Sequence, residues 1–247
     1  MKIAEYRKGF TLLEGAMQVD IPPTKARFAF TLAEVLITLG IIGIVAAMTI
    51  PNLIFNYKVK RTVSILKEDQ SIIAQVIKLS TEENGEPEGW QGQELLSEAR
   101  TLTLVDKINP FLKIAVDCGT YDENGNCFMN GDYKFINGTK YENLATDRTE
   151  YKVKLMNGSS LLYYSYPTPM FRIYFAVDIN GEKQPNTVGK DLFYFEYAED
   201  KGLFPLGAPN VGLKGEEYTT DCSLEASHGF GCAYYVLTFG NMDYLKK

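Results

Sequence analysis

The chain has 247 residues, 45% hydrophobic and 23% charged, with 16 Tyr and 14 Phe but a single Trp and a single His. These values are ordinary for a folded protein and exclude wholesale disorder, while the length allows one domain with an additional segment or two small domains. The net charge of −6 and the pI near 5.0 argue against a nucleic-acid binder that works through phosphate contacts. A single His excludes a His-rich metal centre and leaves few options for acid–base catalysis near neutral pH.

The most informative part of the chain is an apolar segment near its N-terminus. Residues 35–57, VLITLGIIGIVAAMTIPNLIFNY, carry no charged side chain. A helix that spans a bilayer needs about 20 such residues, whereas the apolar region of a cleaved signal peptide is roughly 7–15 residues long. Because no second run of this kind follows, we predict one membrane-spanning segment and a polar domain after it.

A short motif stands directly before this segment. Residues 28–34 read FAFTLAE: after Phe28 come a small residue, Phe, Thr-Leu, any residue and Glu, and then the long apolar run. This pattern resembles the processing site of type IV pilins and of the pseudopilins of type II secretion systems. The resemblance implies that a prepilin peptidase cuts between Ala29 and Phe30, removes residues 1–29 as a leader peptide, and methylates the new amino terminus.

The resemblance also implies a role for Glu34. Burying a carboxylate in an apolar span costs about 2.5–3.5 kcal/mol on insertion scales, although a residue at the membrane interface avoids most of that cost. Cleavage would give Phe30 a cationic amine at a helix N-terminus, and Glu34 would neutralise this amine in its own chain or in a neighbouring one. Since an unpaired buried charge is costly, the pair would favour ordered stacking of subunits.

A proline and several small residues inside the span agree with the same family, in which a helix-kinking proline is common at the position of Pro51. This proline lacks the N–H that would bond the carbonyl of Ala47, so we expect the span to bend or open locally. Gly40, Gly43 and Ala47 are spaced by three and four residues, which predicts a stripe that lets helices approach closely.

The leader region contains a second copy of the motif. Residues 9–14 read GFTLLE, but polar residues and two prolines follow them instead of an apolar span. We interpret this copy as a partial duplication or an upstream-misplaced start. The location of the N-terminus in the cytoplasm is inferred mainly from the resemblance, because basic residues flank the span on both sides: Lys25 and Arg27 before it, and Lys58, Lys60 and Arg61 after it.

Beyond the span the helix is predicted to continue to about residue 80. Apolar residues recur there at three- and four-residue steps, with Gln70 filling one gap and Asp69 lying off the stripe: Val59, Val63, Leu66, Ile73 and Ile77. Residues 82–89 are acidic and contain Gly and Pro, so they end the helix. Residues 93–108 read as a second amphipathic helix.

The sequence of the second half of the chain predicts β-strands. Residues 151–155 and 161–166 flank Asn157-Gly158, a hairpin signal, and residues 171–179 and 192–197 alternate and are aromatic. The predicted fold is therefore α+β with the layout of the pilin family. A long helix over residues 30–80, which includes the span, packs on an antiparallel sheet in an exported domain of residues 81–247.

The cysteines form two close pairs along the chain. Four cysteines allow three pairings, and Cys118 with Cys127 and Cys222 with Cys232 closes the shortest loops. The rival interpretation is a four-Cys zinc site, but zinc ligands usually come two to four residues apart and these are more widely spaced. Disulfides imply an oxidising, exported location, in agreement with a C-terminal domain outside the inner membrane.

Two loops rich in Asp and Asn are candidates for Ca²⁺, although such clusters are more often turns. In the first, Asp122, Asn124 and Asn126 alternate as EF-hand ligands do, but no Glu follows at the twelfth position. In the second, Asp178, Asn180 and Asp191 bracket the loop, and we favour it because some pseudopilins bind Ca²⁺ through a C-terminal loop.

No motif for enzymatic chemistry stands out in the sequence. Phosphate-binding Gly loops, Ser nucleophile signatures and paired-carboxylate motifs are absent, and His228, between the last two cysteines, reads as a loop residue rather than as the base of a Cys–His pair. We therefore expect neither an enzyme nor a cofactor other than a structural Ca²⁺.

The leading functional hypothesis is a structural filament subunit. It would be inserted in the inner membrane with its N-terminus in the cytoplasm, cleaved by prepilin peptidase, and assembled with identical or other pilin-like subunits by an inner-membrane machine. The rival hypothesis is a single-pass envelope module that binds a glycan or another ligand and keeps its anchor uncut. No nucleic-acid partner is predicted.

Overall fold

The computed structural model describes residues 30–90, 97–165, 171–209, 221–225 and 228–246. Its helices are α1 (Leu32–Asn84), α2 (Ser97–Ile108) and α3 (Cys232–Phe239), and short 3-10 helices cover Pro87–Gly89, Asn109–Phe111 and Asp243–Leu245. Its strands are β1 (Ile114–Gly119), β2 (Tyr151–Leu155), β3 (Ser160–Ser165), β4 (Arg172–Asp178), β5 (Leu192–Ala198) and β6 (Gly202–Pro205). The architecture is α+β, with a long apolar N-terminal helix and an antiparallel sheet.

The chain divides into two compact units, Met1–Ile50 and Pro51–Lys247. In the described part of the first unit, α1 exposes its apolar side chains on every side; Leu36, Ile41 and Ile44 are each about 60% exposed. Among the described residues α1 is the one helix long and apolar enough to cross a membrane, and none of its most apolar stretch is buried. This half of α1 therefore has the length and composition of a membrane span, as a signal sequence near an N-terminus also does.

In the second unit the rest of α1 packs on the sheet through one stripe. Its buried residues recur every three or four positions, as a helix with 3.6 residues per turn requires: Val59, Thr62, Leu66, Asp69, Ile73, Val76, Ile77 and Ser80. The prediction that Asp69 lies off the stripe was wrong, since its side chain is fully buried. A prediction from hydropathy places a carboxylate on the solvent side of a helix. Asp69 is buried because it accepts hydrogen bonds from Asn157 Nδ2 at 2.7 Å and Ser159 Oγ at 2.9 Å.

The six strands pair in the order in which they occur along the chain, each antiparallel to the next. The hairpin predicted at Asn157-Gly158 joins β2 to β3, and Gly158 has a φ of 93°, a left-handed conformation that favours glycine. The strands predicted over residues 171–179 and 192–197 are β4 and β5, paired from Arg172–Ala198 to Asp178–Leu192. The elements β1, β6 and α3 were not predicted.

Both faces of this sheet are covered. Odd-numbered residues of β2–β5 point to the helices and form one core with α1, α2 and α3: Val153, Leu155, Leu161, Tyr163, Ile173, Phe175, Val177, Phe193, Phe195 and Tyr197. The opposite face carries Leu162, Ala176, Leu192 and Tyr194, which pack under residues of the long β1–β2 connection: Cys127, Phe128, Tyr133, Leu144 and Ala145. Strands covered on both faces are buried at nearly every position, as β5 is.

Candidate functional site

Helix α1 begins with a reciprocal pair of hydrogen bonds between Thr31 and Glu34. The N–H of Glu34 donates to Oγ1 of Thr31 at 3.2 Å, and Oε2 of Glu34 accepts from the N–H and the hydroxyl of Thr31, each at 2.8 Å. This is a capping box, which satisfies backbone donors that every helix N-terminus leaves without an intrahelical partner. The sequence signal was present, because Thr-x-x-Glu before an apolar run predicts such a cap.

The residues predicted for processing and helix packing lie just before α1 in the sequence and along its apolar half. Ala29 is outside the described residues, and Phe30 is 84% exposed at the start of the described chain. A methyl group added at Gly40 or Gly43 would meet no atom within 4 Å, so both backbones are open to a neighbouring helix. The helix continues through Pro51, which is the first residue of the second unit.

The cysteines are joined in the two shortest loops, Cys118 to Cys127 and Cys222 to Cys232. Cys127 belongs to the cluster under the β1–β2 connection, whereas Cys222 and Cys232 belong to the helix-side core. The rival four-Cys zinc site is therefore wrong, since all four sulfurs are consumed in pairs that belong to different clusters. Gly189 packs against this second disulfide, where a Cβ would approach Cys232 Sγ to 2.8 Å.

The first acidic loop has a structural use for its carboxylate. Asp122 is 3% exposed, and its Oδ1 accepts the N–H of Asn126 at 2.9 Å while its Oδ2 accepts the N–H groups of Cys127 at 2.8 Å and Phe128 at 3.1 Å. Both oxygens thus fold the turn that carries Cys127. This arrangement is a hydrogen-bonded turn, the interpretation that the sequence favoured for this loop over an EF-hand-like site.

The second acidic loop brings the three predicted residues to one end of the β4–β5 pair. Asp178 ends β4 and is fully buried, and Asp191, directly before β5, is 3% exposed. Oδ2 of Asp191 accepts the N–H of Asn186 at 2.7 Å, and Oδ1 accepts that of Thr187 at 2.6 Å. The carboxylate therefore holds the loop in place.

Asp178 and Asn180 complete this acidic loop site. Oδ2 of Asp178 accepts the hydroxyl of Tyr133 at 2.7 Å, and Oδ1 accepts the N–H of Asn180 at 3.1 Å. The side-chain oxygen Oδ1 of Asn180 is buried without a hydrogen-bond partner among the residues that the structure describes. Tyr133 comes from the β1–β2 connection, 45 residues away, so no local pattern indicated it.

The electrostatics of this loop disfavour two uncompensated negative charges. Burial raises the pKa of Asp178 well above its usual range, and the charge of Asp191 raises it further. Burial also raises the pKa of Asp191 to about 6, although the N–H groups of Thr187 and Asn186 act in the opposite direction. A bound cation or a proton would relieve this cost, and two carboxylates with an unpartnered amide oxygen are the hard oxygen donors that Ca²⁺ prefers. The loop thus offers oxygen donors of the kind that Ca²⁺ takes, and hydrogen bonds already engage all four carboxylate oxygens of Asp178 and Asp191.

His228 stands apart from this chemistry. Its ring packs edge-on against Phe135, with 4.6 Å between centroids, and its side chain is 58% exposed. Its nearest carboxylate is Asp221, at 3.9 Å from Nδ1, which also accepts the N–H of His228 at 2.9 Å and the N–H of Phe230 at 3.1 Å. Since Cys222 and Cys232 are joined to each other, neither is a nucleophile for this His.

Comparisons with protein-family models, with curated proteins and with solved structures match nothing to this chain.

Proposed function

We propose that this protein is a structural subunit of a type IV pilus-like or type II secretion pseudopilus filament. The observation that carries the proposal is the combination at the start of α1. A FTLAE motif stands before an apolar half-helix that no other part of the described chain covers. Such a surface needs lipid before assembly and other helices after it, which is what a subunit that leaves a membrane to enter a filament requires.

The capping box is compatible with this proposal and sharpens the part played by Glu34. Both hydrogen bonds from Thr31 end on Oε2, so they leave Oε1 available to the amine that Phe30 would carry after cleavage. One carboxylate would then cap its own helix and neutralise a cation. Gly40 and Gly43, open on their exposed side, would let a neighbouring helix approach closely.

The proposed life cycle begins in the inner membrane, with the N-terminus in the cytoplasm and the sheet domain exported. Prepilin peptidase would remove residues 1–29 and methylate Phe30, and the assembly machine would extract the chain into an extracytoplasmic filament. The two disulfides agree with export into an oxidising compartment. The rival function is a ligand-binding module on a membrane anchor. In that case the peptidase would not cleave the chain, and residues 1–29 would remain attached.

The mass of the membrane-extracted chain tests the proposal. We expect a mature protein that starts at N-methylated Phe30. In the variant Ala29→Leu the cut should be blocked, because the motif requires a small residue at that position. The matched variant Gly9→Leu, at the upstream copy of the motif, should be cleaved normally. A chain that starts at Met1 or Phe10 in the wild type would refute processing at Phe30 and favour the anchored module.

We also propose that the loop of Asp178, Asn180 and Asp191 holds a structural Ca²⁺. The buried, unpartnered Oδ1 of Asn180 beside two buried carboxylates is the observation that favours it. The ion would supply no catalysis; it would compensate the two charges and fasten the β4–β5 loop to Tyr133 and the β1–β2 connection.

A further inference from the structure

A cavity of about 660 Å³ lies in the second unit, where α1 meets the β4–β5 loop and the C-terminal turn. Four parts of the chain line it: α1 between residues 55 and 65, the β2–β3 turn at residues 157 and 158, the loop between residues 179 and 191, and residues 242 and 245 near the C-terminus. Its wall is largely apolar: Phe55, Val59, Ile65, Ile179, Met242 and Leu245. We call this space the basic cavity, for the charges described next.

Four cationic side chains line the basic cavity on a chain whose net charge is −6. Lys58 and Arg61 lie one turn apart on α1, and Lys183 and Lys190 come from the β4–β5 loop. All four are exposed. None of them forms an ion pair with a carboxylate within the described residues. Four cations around one cavity, against the single buried carboxylate of Asp191 in its lining, create a positive potential that an anion would neutralise.

One carboxylate also lines the cavity, and it is already committed. Asp191 is 3% exposed, and both of its oxygens accept backbone N–H groups of the loop. Because Asp191 is buried and both of its oxygens face these N–H groups, it offsets the four exposed cations only in part.

The position of the cavity along the chain suggests what kind of anion it meets. Phe55 belongs to the last turn of the predicted span, and Lys58 is the first charged residue after that span. In a membrane-inserted chain, this level of the helix lies among the lipid headgroups, where basic side chains attract anionic lipids. An apolar wall with a cationic rim at that level matches an amphiphile with a phosphate and acyl chains.

We infer that the basic cavity binds the phosphate headgroup of an anionic glycerophospholipid. Lys58, Arg61, Lys183 and Lys190 would surround the phosphate, and the first carbons of an acyl chain would lie against the apolar wall. Binding would fix the sheet domain against the membrane surface before assembly. This inference rests on the membrane span that the proposed function includes, but not on filament formation. Lipid binding and filament assembly can therefore be refuted independently.

Lipid binding to the full chain in a non-ionic detergent tests the inference. Native mass spectrometry would compare phosphatidylglycerol with phosphatidylcholine of the same acyl chains, with EDTA present so that no Ca²⁺ bridges phosphate to Asp191. We expect one phosphatidylglycerol per chain in preference to phosphatidylcholine. The variant Lys183→Gln/Lys190→Gln should weaken it roughly 25-fold, since each basic residue near an anionic headgroup contributes about fivefold.

A matched variant and a competitor complete the experiment. Lys60→Gln/Lys67→Gln removes the same charge from exposed positions of α1 outside the cavity and should leave binding unchanged. A second pair, Lys58→Gln/Arg61→Gln, should weaken binding as the loop pair does. Equal binding of both lipids, or an equal loss in the control variant, would overturn the inference. Displacement of the lipid by millimolar inorganic phosphate would also overturn it, because the site would then serve free phosphate.

Discussion

Glu34 accepts two hydrogen bonds from Thr31 on a single carboxylate oxygen, each at 2.8 Å, and it thereby caps α1 before the apolar segment begins. The residue that the filament proposal assigns to an intersubunit ion pair therefore has a second role within its own chain. The two roles differ in what they require of the side chain. Capping needs a hydrogen-bond acceptor, while neutralisation of the Phe30 amine needs a negative charge.

Two substitutions at Glu34 separate these roles. Glu34→Gln keeps an acceptor for the capping box but removes the charge, whereas Glu34→Leu removes both. If the amine is paired in the filament, both variants should be abundant in the membrane and both should lose filaments, because an unpaired buried charge costs about 3–5 kcal/mol. Sheared filament yield, compared with membrane level and cleavage at Phe30, provides the measurement. Normal filaments from Glu34→Gln would limit the residue to capping.

The acidic loop predicts that Ca²⁺ raises thermal stability. At a concentration one hundred times its dissociation constant, a ligand that binds only the folded state stabilises it by about 2.7 kcal/mol, which for a chain of this size raises Tm by roughly 5–10 °C. We expect such a rise for the wild type against EGTA, and its loss in Asp191→Asn. Asp200→Asn, at an exposed carboxylate of the β5–β6 turn, should retain it. An unchanged wild-type Tm in Ca²⁺ would contradict the Ca²⁺ site and would indicate that a proton, not a cation, neutralises one of the two carboxylates.

The burial of Asp69 predicts a pH dependence of stability. Burial raises its pKa to about 6, against the hydrogen bonds from Asn157 and Ser159, and Oδ2 has no partner among the described residues. The folded state therefore binds the proton more tightly than the unfolded chain does. The stability that this proton contributes is complete below about pH 4 and is lost as pH rises through 6, a change of about 3 kcal/mol.

Denaturant unfolding at pH 4 and pH 7 measures this contribution. Relative to the wild type, Asp69→Asn should gain about 2.5 kcal/mol in the free energy of unfolding between the two pH values, because it cannot ionise. Glu83→Gln, at an exposed carboxylate farther along α1, serves as the control and should follow the wild type. Parallel pH profiles for Asp69→Asn and the wild type would show that Asp69 does not titrate differently on folding.

The disulfides predict a defined peptide map and a measurable loss on their removal. Exported protein should contain no free thiol, and non-reduced digestion should link Cys118 to Cys127 and Cys222 to Cys232. Replacing either pair with Ala should lower the free energy of unfolding by about 2.5–3 kcal/mol, the entropy of a loop of about ten residues. A peptide that links Cys118 to Cys222 or Cys232 would contradict the pairing.

Local patterns predicted much of the fold and part of the site. The apolar half of α1, the hairpin at Asn157-Gly158 and the strands β4 and β5 follow from hydropathy and turn chemistry over a few residues, as do the two shortest cysteine loops. The cap at Thr31 and Glu34 is equally local, and its four-residue pattern was readable. The strand β1 was missed because its residues, none of them buried, do not alternate between apolar and polar, and β6 was missed because it has only four residues.

The sequence by itself determined a single long apolar helix, an antiparallel domain after it and the positions of the chemically active side chains. Tertiary structure decided which of these side chains meet. Asp69 is buried because a hairpin 88 residues later supplies Asn157, and Asp178 gains Tyr133 across a separation of 45 residues. Lys58 and Lys190 line one cavity because α1 and the β4–β5 loop converge there. Such encounters depend on sheet register and on the packing of a helix against it, and no periodicity along the chain encodes them.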